Sequence, residues 1–278
     1  MIKMKELNLE STVKLNNGID IPVLGLGTYL ARDQQAYEAV RNALKIGYRH
    51  IDTAAMYQNE KEIGQAVRDH DVEREEVFVT TKLWNSDHGF NKALEAFETS
   101  YEKLGLDYVD LYLLHWPVPN LRMDSWRALE QLYKDGKVKS IGVSNYTIRH
   151  IEELLKEAKI VPVVNQVEFH PYLYQKELLE YCMSKDIWIQ SYSPLTKGRM
   201  LDDQPLKNIS HNYRKTPAQL LIRWCLEKKT ITLPKSANVS NIMENSEVFD
   251  FTISKEDMTK LDSLHRNMRV TWDPTDEP

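Results

Sequence analysis

Apolar residues along this chain follow two alternating patterns. Short, mostly apolar runs rich in β-branched residues cover 23–27, 48–52, 77–82, 109–114, 140–143, 163–167, 187–192 and, more briefly, 231–233. Between them apolar residues recur every three or four positions, the spacing of a helix with one buried face. In 34–46, for example, Ala36, Val40, Ala43 and Leu44 share a face, and Gly47 follows where a helix C-cap glycine belongs. The same spacing predicts helices over 60–68, 91–104, 125–134, 148–158, 176–184 and 217–227, and two closing helices near 240–246 and 255–264. Gly105 and Asp135-Gly136 stop two of them. A hairpin is expected ahead of the repeat, with arms 12–15 and 19–21 around Asn16-Asn17-Gly18. A longer loop is expected between the seventh run and the helix at 217–227.

Eight such strand–helix pairs in 278 residues predict an α/β fold, a (β/α)8 TIM barrel with an N-terminal β-hairpin and additional C-terminal helices, the whole of 1–278 forming one domain. Strands this short and apolar suit a parallel sheet covered on both faces. The competing doubly wound sheet needs a Gly-rich phosphate loop after its first strand. Gly25-Leu26-Gly27-Thr28-Tyr29-Leu30 lacks the third glycine and a suitably spaced acid, so its glycines read as a tight turn.

Composition narrows the function without naming it. Acids outnumber bases, giving a net charge of −5, and the bases form no stripe, so a nucleic-acid partner is not expected. Two cysteines, Cys182 and Cys225, make neither a disulfide framework nor a metal-ligand spacing and read as buried thiols. The start, Met1 to Ser11, lacks the apolar core of a signal peptide, and no run is long enough to span a membrane. A cytoplasmic protein is expected, and a monomer, because no long apolar helix face is left over.

The chemistry sits at the ends of the strands. Asp52, Lys82 and His115 close the second, third and fourth runs, or lie just past them, and Tyr57 follows in the loop after Asp52. In a parallel barrel all strand C-termini open on one face, so an acid, an amine, an imidazole and a phenol would meet there. A free phenol ionises near pH 10; a neighbouring ammonium, Lys82, would lower that value, and Asp52 would keep the amine charged. His115 would orient a carbonyl oxygen. Taken singly, each has a plainer reading: Asp52–Lys82 as an ion pair at the barrel mouth, Tyr57 as a loop aromatic. The four together point to proton delivery. His50, two residues before Asp52, reads as a hydrogen-bonded core residue one layer deeper, His88 as a turn or cap residue, and His170 as a strand exit. No HExxH or His-x-His pattern supports a metal hydrolase, and no metal is expected.

Several segments in order resemble the aldo-keto reductase family. They are Gly47-Tyr48-Arg49-His50-Ile51-Asp52-Thr53-Ala54 followed by Tyr57; Thr81-Lys82-Leu83-Trp84; and Leu111-Tyr112-Leu113-Leu114-His115-Trp116-Pro117. Further on stand Gly142-Val143-Ser144-Asn145-Tyr146, Val164-Asn165-Gln166-Val167-Glu168 and Leu233-Pro234-Lys235-Ser236, so the resemblance spans 23–274. It implies that Asp52, Tyr57, Lys82 and His115 are the catalytic tetrad and that a nicotinamide cofactor lies extended across the barrel mouth. By the same resemblance Ser144, Asn145 and Gln166 would hold the carboxamide and Tyr192 would stack on the nicotinamide ring. Gly27, Thr28 and Asp52 would also line the cofactor site, Ser193, Leu195 and Gly198 would close over the pyrophosphate, and Glu244 and Asn245 would contact adenine. Lys235 and Ser236 would face the 2′-phosphate of NADPH. The family usually has an arginine where this chain has Asn241, so NADPH is expected with weakened preference and NADH as a second cofactor.

The substrate implied is a small carbonyl compound in a pocket walled by Tyr29, Trp84 and Trp116 beside Tyr57 and His115. The loop 116–125 and the tail after Leu264 are short, as in prokaryotic-type members of the family, and an open site suited to small aldehydes, dicarbonyls and keto sugars is expected. An alternative is a cofactor-binding regulatory or structural subunit on the same fold with little turnover.

Overall fold

The polypeptide enters through a hairpin, β1 (Thr12–Lys14) antiparallel to β2 (Asp20–Pro22), turning at Gly18 with φ 88°. The computed structural model describes residues 7–276, so the first half of the charged N-terminal segment and the last two residues lie outside it. The hairpin caps the end of the barrel where strands begin. Asn16 Nδ2 donates to Pro162 O and Asp186 O, and Asn17 Nδ2 to Lys139 O, all just ahead of barrel strands.

Eight parallel strands follow in chain order: β3 (Leu26–Gly27), β4 (His50–Asp52), β5 (Phe78–Leu83), β6 (Leu111–Leu114), β7 (Ile141–Ser144), β8 (Val164–Glu168), β9 (Trp188–Tyr192) and β10 (Ile231–Leu233). Each pairs with the next, and bridges Leu24↔Thr232 and Gly27↔Lys235 close the ring between first and last. Expected strand 23–27 is thus shared: only Leu26–Gly27 ladders with β4, while Val23 O and Gly25 N bond to Thr232 across the closure. Gly25 belongs to no turn, which corrects the expectation. A Cβ there would sit 2.7 Å from the His50 ring and 2.8 Å from Leu233 Cδ2, so glycine lets the strand close onto its neighbours.

Helices α1 (Asp33–Ile46), α2 (Glu60–Arg68), α3 (Phe90–Leu104), α4 (Arg122–Lys134), α5 (Ile148–Glu157) and α6 (Lys176–Ser184) connect successive strands. Their apolar stripes bury against the sheet; on α1 these are Ala36, Ala39, Val40, Ala43 and Leu44. Gly47 and Gly105 take the left-handed C-cap conformation, at φ 117° and 58°. The long loop expected after β9 instead contains a helix, α7 (Gln204–Asn212), before α8 (Pro217–Glu227). Its Asn, Ser and His residues favour turns and only Leu206 and Ile209 are buried apolar anchors, which left little periodicity to read. Helices α9 (Val239–Ser246) and α10 (Lys255–Asp262) complete the shell, and no helix among the described residues is long and apolar enough to cross a membrane.

Candidate active site

Asp52 ends β4, Lys82 lies near the end of β5, and His115 follows β6, so three neighbouring strands deliver their side chains to one end of the barrel. A single 3-10 turn, Ala55–Tyr57, brings Tyr57 over them and is ended by Gln58 at φ 58°. Lys82 is fully buried. Its Nζ donates to Asp52 Oδ1 at 2.7 Å and to Thr53 O at 2.8 Å, and it lies 5.0 Å from the centre of the Tyr57 ring. Asp52 Oδ2 accepts a second bond, 2.7 Å, from Gln166 Nε2. The Tyr57 and His115 rings meet edge to face at 5.8 Å. The four expected residues are therefore assembled, around a cavity of about 530 Å³ that Asp52, Tyr57 and His115 line while Lys82 supports them from beneath.

The electrostatics differ from expectation at Tyr57. Burial first, then the charge of Asp52, pushes its phenol well above its usual value of 10, so the ring keeps its proton at neutral pH. Lys82 was expected to lower that value; the net shift runs the other way, because burial and the charge of Asp52 prevail. Burial likewise lowers Lys82, with Asp52 opposing the shift. His115 is pushed well below 6.5 by burial and by Lys82, and is neutral. Its Nδ1 is sealed without a partner. Placing the ring proton on Nε2 leaves an unpaired lone pair inside, a smaller penalty than an unpaired N–H, and makes Nε2 the donor. The site thus holds two neutral proton donors, phenol and imidazole, beside a buried ion pair.

His50 and His88 sit away from the cavity, hydrogen-bonded in the fold. His50 is fully buried, reaches Thr80 Oγ1 at 3.3 Å, and is lowered to about 3 by burial. His88 Nδ1 lies 3.0 Å from Ser125 Oγ and burial lowers it to about 4. Among the described residues no group of three or more His, Cys, Asp or Glu is placed to hold a metal ion, and Cys182 and Cys225 are buried free thiols.

The remaining wall carries most of the residues expected to meet a cofactor. Ser144, at the end of β7, sits side by side in register with Gln166 in the middle of β8, and Asn145 follows Ser144. Asn145 Nδ2 donates to His115 O at 3.0 Å, and its Oδ1 accepts from the Tyr192 hydroxyl at 2.7 Å. Gln166 spends its amide N–H groups on Asp52 and Gln190, leaving its oxygen free at the cavity for a carboxamide N–H. Gly27, Thr28, Tyr192, Ser193, Leu195 and Gly198 also line it. At the rim, Lys197 and Lys235 pair with no carboxylate among the described residues, a suitable environment for phosphate. A nicotinamide dinucleotide therefore fits the donor and acceptor set. Asn241 reaches this rim, but Ser236 is occupied with Asn238 in the turn before α9. Glu244 and Asn245 lie further along α9, off the cavity wall, and the Glu244 carboxylate accepts from Thr216 Oγ1 at 2.6 Å.

Tyr29, Trp84 and Trp116 form the apolar part of the wall, as expected. One element was missed. The tail folds back across the mouth, and Trp272 packs at 6.3 Å from Trp84 and 5.6 Å from Trp116, ring centre to ring centre. The short tail therefore does not leave the site open; it supplies a wall. A tryptophan in an aperiodic polar segment was the only signal available.

A sequence model of the Aldo/keto reductase family matches residues 23–266. A glyoxal reductase of Bacillus subtilis is 49% identical over 268 residues, covering 96% of this chain and 97% of that protein. The methylglyoxal reductase DkgA of Escherichia coli K12 is 41% identical over 268 residues, covering 95% and 97%. Among solved structures, MGS-M4, an aldo-keto reductase from a deep-sea metagenome library, superposes with a TM-score of 0.93 at 44% identity, covering 95% of this chain and 98% of that one.

Proposed function

The chain belongs to the aldo/keto reductase family, and we propose that it reduces small aldehydes and dicarbonyls to alcohols, with Tyr57 giving the proton to the carbonyl oxygen. The observation that carries this reading is the assembly of Tyr57, His115 and the Asp52–Lys82 pair on one cavity wall beside Ser144, Asn145 and Gln166. The relatives named glyoxal reductase and methylglyoxal reductase favour dicarbonyl substrates. They are named for turnover, and nothing in them favours a cofactor-binding subunit without it.

A reduced nicotinamide, when bound, supplies the hydride. Ser144, Asn145 and Gln166 would hold its carboxamide, Tyr192 its ring, and Lys197 and Lys235 its phosphates. Tyr57 and the Nε2 of His115 converge on the carbonyl oxygen and stabilise negative charge as it grows there, where preorganised donors contribute most. Because the phenol is raised and the imidazole lowered, both hold the protonation state this role needs across the neutral range. As Tyr57 gives up its proton, Lys82, 5.0 Å from its ring, stabilises the phenolate left behind. Asp52 keeps that ammonium in place. Tyr29, Trp84, Trp116 and Trp272 offer apolar contact to the group behind the carbonyl, which favours broad selectivity.

For the cofactor, Asn241 at the rim offers no charge to a 2′-phosphate, leaving Lys235. A charge-assisted hydrogen bond contributes roughly 1.5–3 kcal/mol, so its loss weakens discrimination by about ten- to a hundredfold. NADPH is therefore preferred only modestly and NADH is used. Steady-state oxidation of each cofactor with a panel of aldehydes tests both statements. Asn241→Arg should raise the NADPH/NADH ratio of kcat/KM by at least tenfold. An unchanged ratio would defeat the cofactor assignment, and failure to turn over any aldehyde or dicarbonyl would defeat the reductase reading.

A further inference from the structure

One buried acid is left unused by this mechanism. Glu168 ends β8, its side chain is fully buried, and it takes no part in the Asp52–Lys82 pair. Four donors surround its carboxylate. Oε1 accepts from His170 Nε2 at 2.9 Å and from Val270 N at 2.7 Å. Oε2 accepts from Thr271 N at 3.0 Å and from the Thr271 hydroxyl. That fills the acceptor sites of a carboxylate. Burial would raise its pKa, but bonds from His170, Thr271 and Val270 hold it below the usual carboxylate range. Three of the four donors belong to the tail.

The geometry points to Glu168 as a positioning residue that clasps the C-terminal tail and so sets Trp272 as a specificity-determining wall of the substrate cavity. The clasp lies immediately before Trp272, which is itself 61% exposed and packs tilted against the rings of Trp84 and Trp116. Exposed ring contacts of that kind hold a chain weakly, whereas charge-assisted bonds to two consecutive residues fix its direction. Upstream, Arg266 N and Met268 N donate to Tyr172 O, so the tail is laid down from α10 to the clasp. On the far side, the Thr271 hydroxyl lies 3.0 Å from the Tyr192 hydroxyl, which also bonds Asn145. The clasp therefore registers the tail against the cofactor-facing wall, with Trp272 following beside Trp84 and Trp116.

The substrate consequence rests on the proposed carbonyl reduction; the clasp itself does not, and the test separates them. Methylglyoxal and phenylglyoxal share the dicarbonyl and differ in a methyl against a phenyl group, so only the second reaches for an aromatic wall. In Glu168→Gln one pair of tail donors faces an amide N–H in place of an acceptor. Amide hydrogen exchange at Val270, Thr271 and Trp272 should quicken by roughly tenfold or more. KM for phenylglyoxal should rise roughly two- to tenfold, the size of one aromatic contact, with little change in kcat or in KM for methylglyoxal. Trp272→Ala should copy the phenylglyoxal effect while Val270 and Thr271 exchange at the native rate. If Glu168→Gln does not fold, Thr271→Val removes the hydroxyl bonds, keeps the backbone ones, and should show the same pattern at smaller size. Native exchange rates in the folded variant would overturn the clasp, and faster exchange with an equal loss for both dicarbonyls would overturn the role of Trp272 as a selective wall. Faster exchange in a protein that reduces neither dicarbonyl would uphold the clasp and sink the proposed activity.

Discussion

Replacing Lys82 by methionine should cost stability as well as activity. Lys82 is fully buried, and its ammonium donates to Asp52 Oδ1 at 2.7 Å and Thr53 O at 2.8 Å. Methionine fills nearly the same volume, so packing is largely kept and the change is electrostatic. Asp52 then keeps only the Gln166 bond and is left as a buried charge without a counter-ion. Breaking a buried pair in this way costs about 3–5 kcal/mol, against a total stability of roughly 5–15 kcal/mol. The paired variant Asp52→Asn/Lys82→Met removes both charges, and since a buried pair roughly balances its own desolvation, it should recover at least half of that loss. Urea unfolding followed by tryptophan fluorescence measures both. Neither variant should recover turnover, because the cation beside Tyr57 is absent from each. A Lys82→Met loss under about 1 kcal/mol, or a double variant no more stable than the single one, would refute the reasoning that Asp52 depends on Lys82.

Other consequences follow from burial elsewhere. Burial lowers His88 from 6.5 to about 4, so between those values the unfolded chain binds a proton that the folded protein refuses. Stability must then fall as pH falls through that window, by up to roughly 3 kcal/mol from this residue. His88→Gln, which cannot titrate, should lose less stability than the native protein between about pH 7 and about pH 4 in urea titrations; an identical decline would contradict it. Gly64 packs on the end of α3 so closely that a Cβ would lie 1.8 Å from Leu104 O. Gly64→Ala should therefore force α2 away from α3 and lower the thermal midpoint by several degrees, roughly 2–4 °C per kcal/mol lost; an unchanged midpoint would show the two helices to be loosely packed.

The extent of what could be read from sequence follows the range of the interactions involved. The bounds of α2, α6 and α8 and of the strand β10 are local properties, set by apolar spacing and by turn residues at their ends, and they match the expected spans. The meeting of Asp52, Lys82 and His115 was legible because a parallel barrel gathers strand ends without further information. What was missed depends on contacts distant in sequence. The split allegiance of β3 comes from closure onto Thr232. The ionisation of Tyr57 depends on how deeply the fold buries it, so the sign of its shift was misjudged from residue types alone. The tail offered no periodicity, and its path is set by Glu168, about a hundred residues earlier. Helix α7 carries too few apolar positions to stand out.

The central claim is that Tyr57 delivers the proton, and Tyr57→Phe tests it most directly. The substitution removes one oxygen and keeps the ring contacts with Tyr29 and His115. Nucleotide affinity, read by fluorescence titration, and steady-state reduction of methylglyoxal should be measured on the same preparation. The account predicts native cofactor affinity with kcat reduced by about 10²–10⁴, the usual contribution of a positioned general acid. Turnover within a few-fold of the native protein would contradict it and move the proton-donor role to His115.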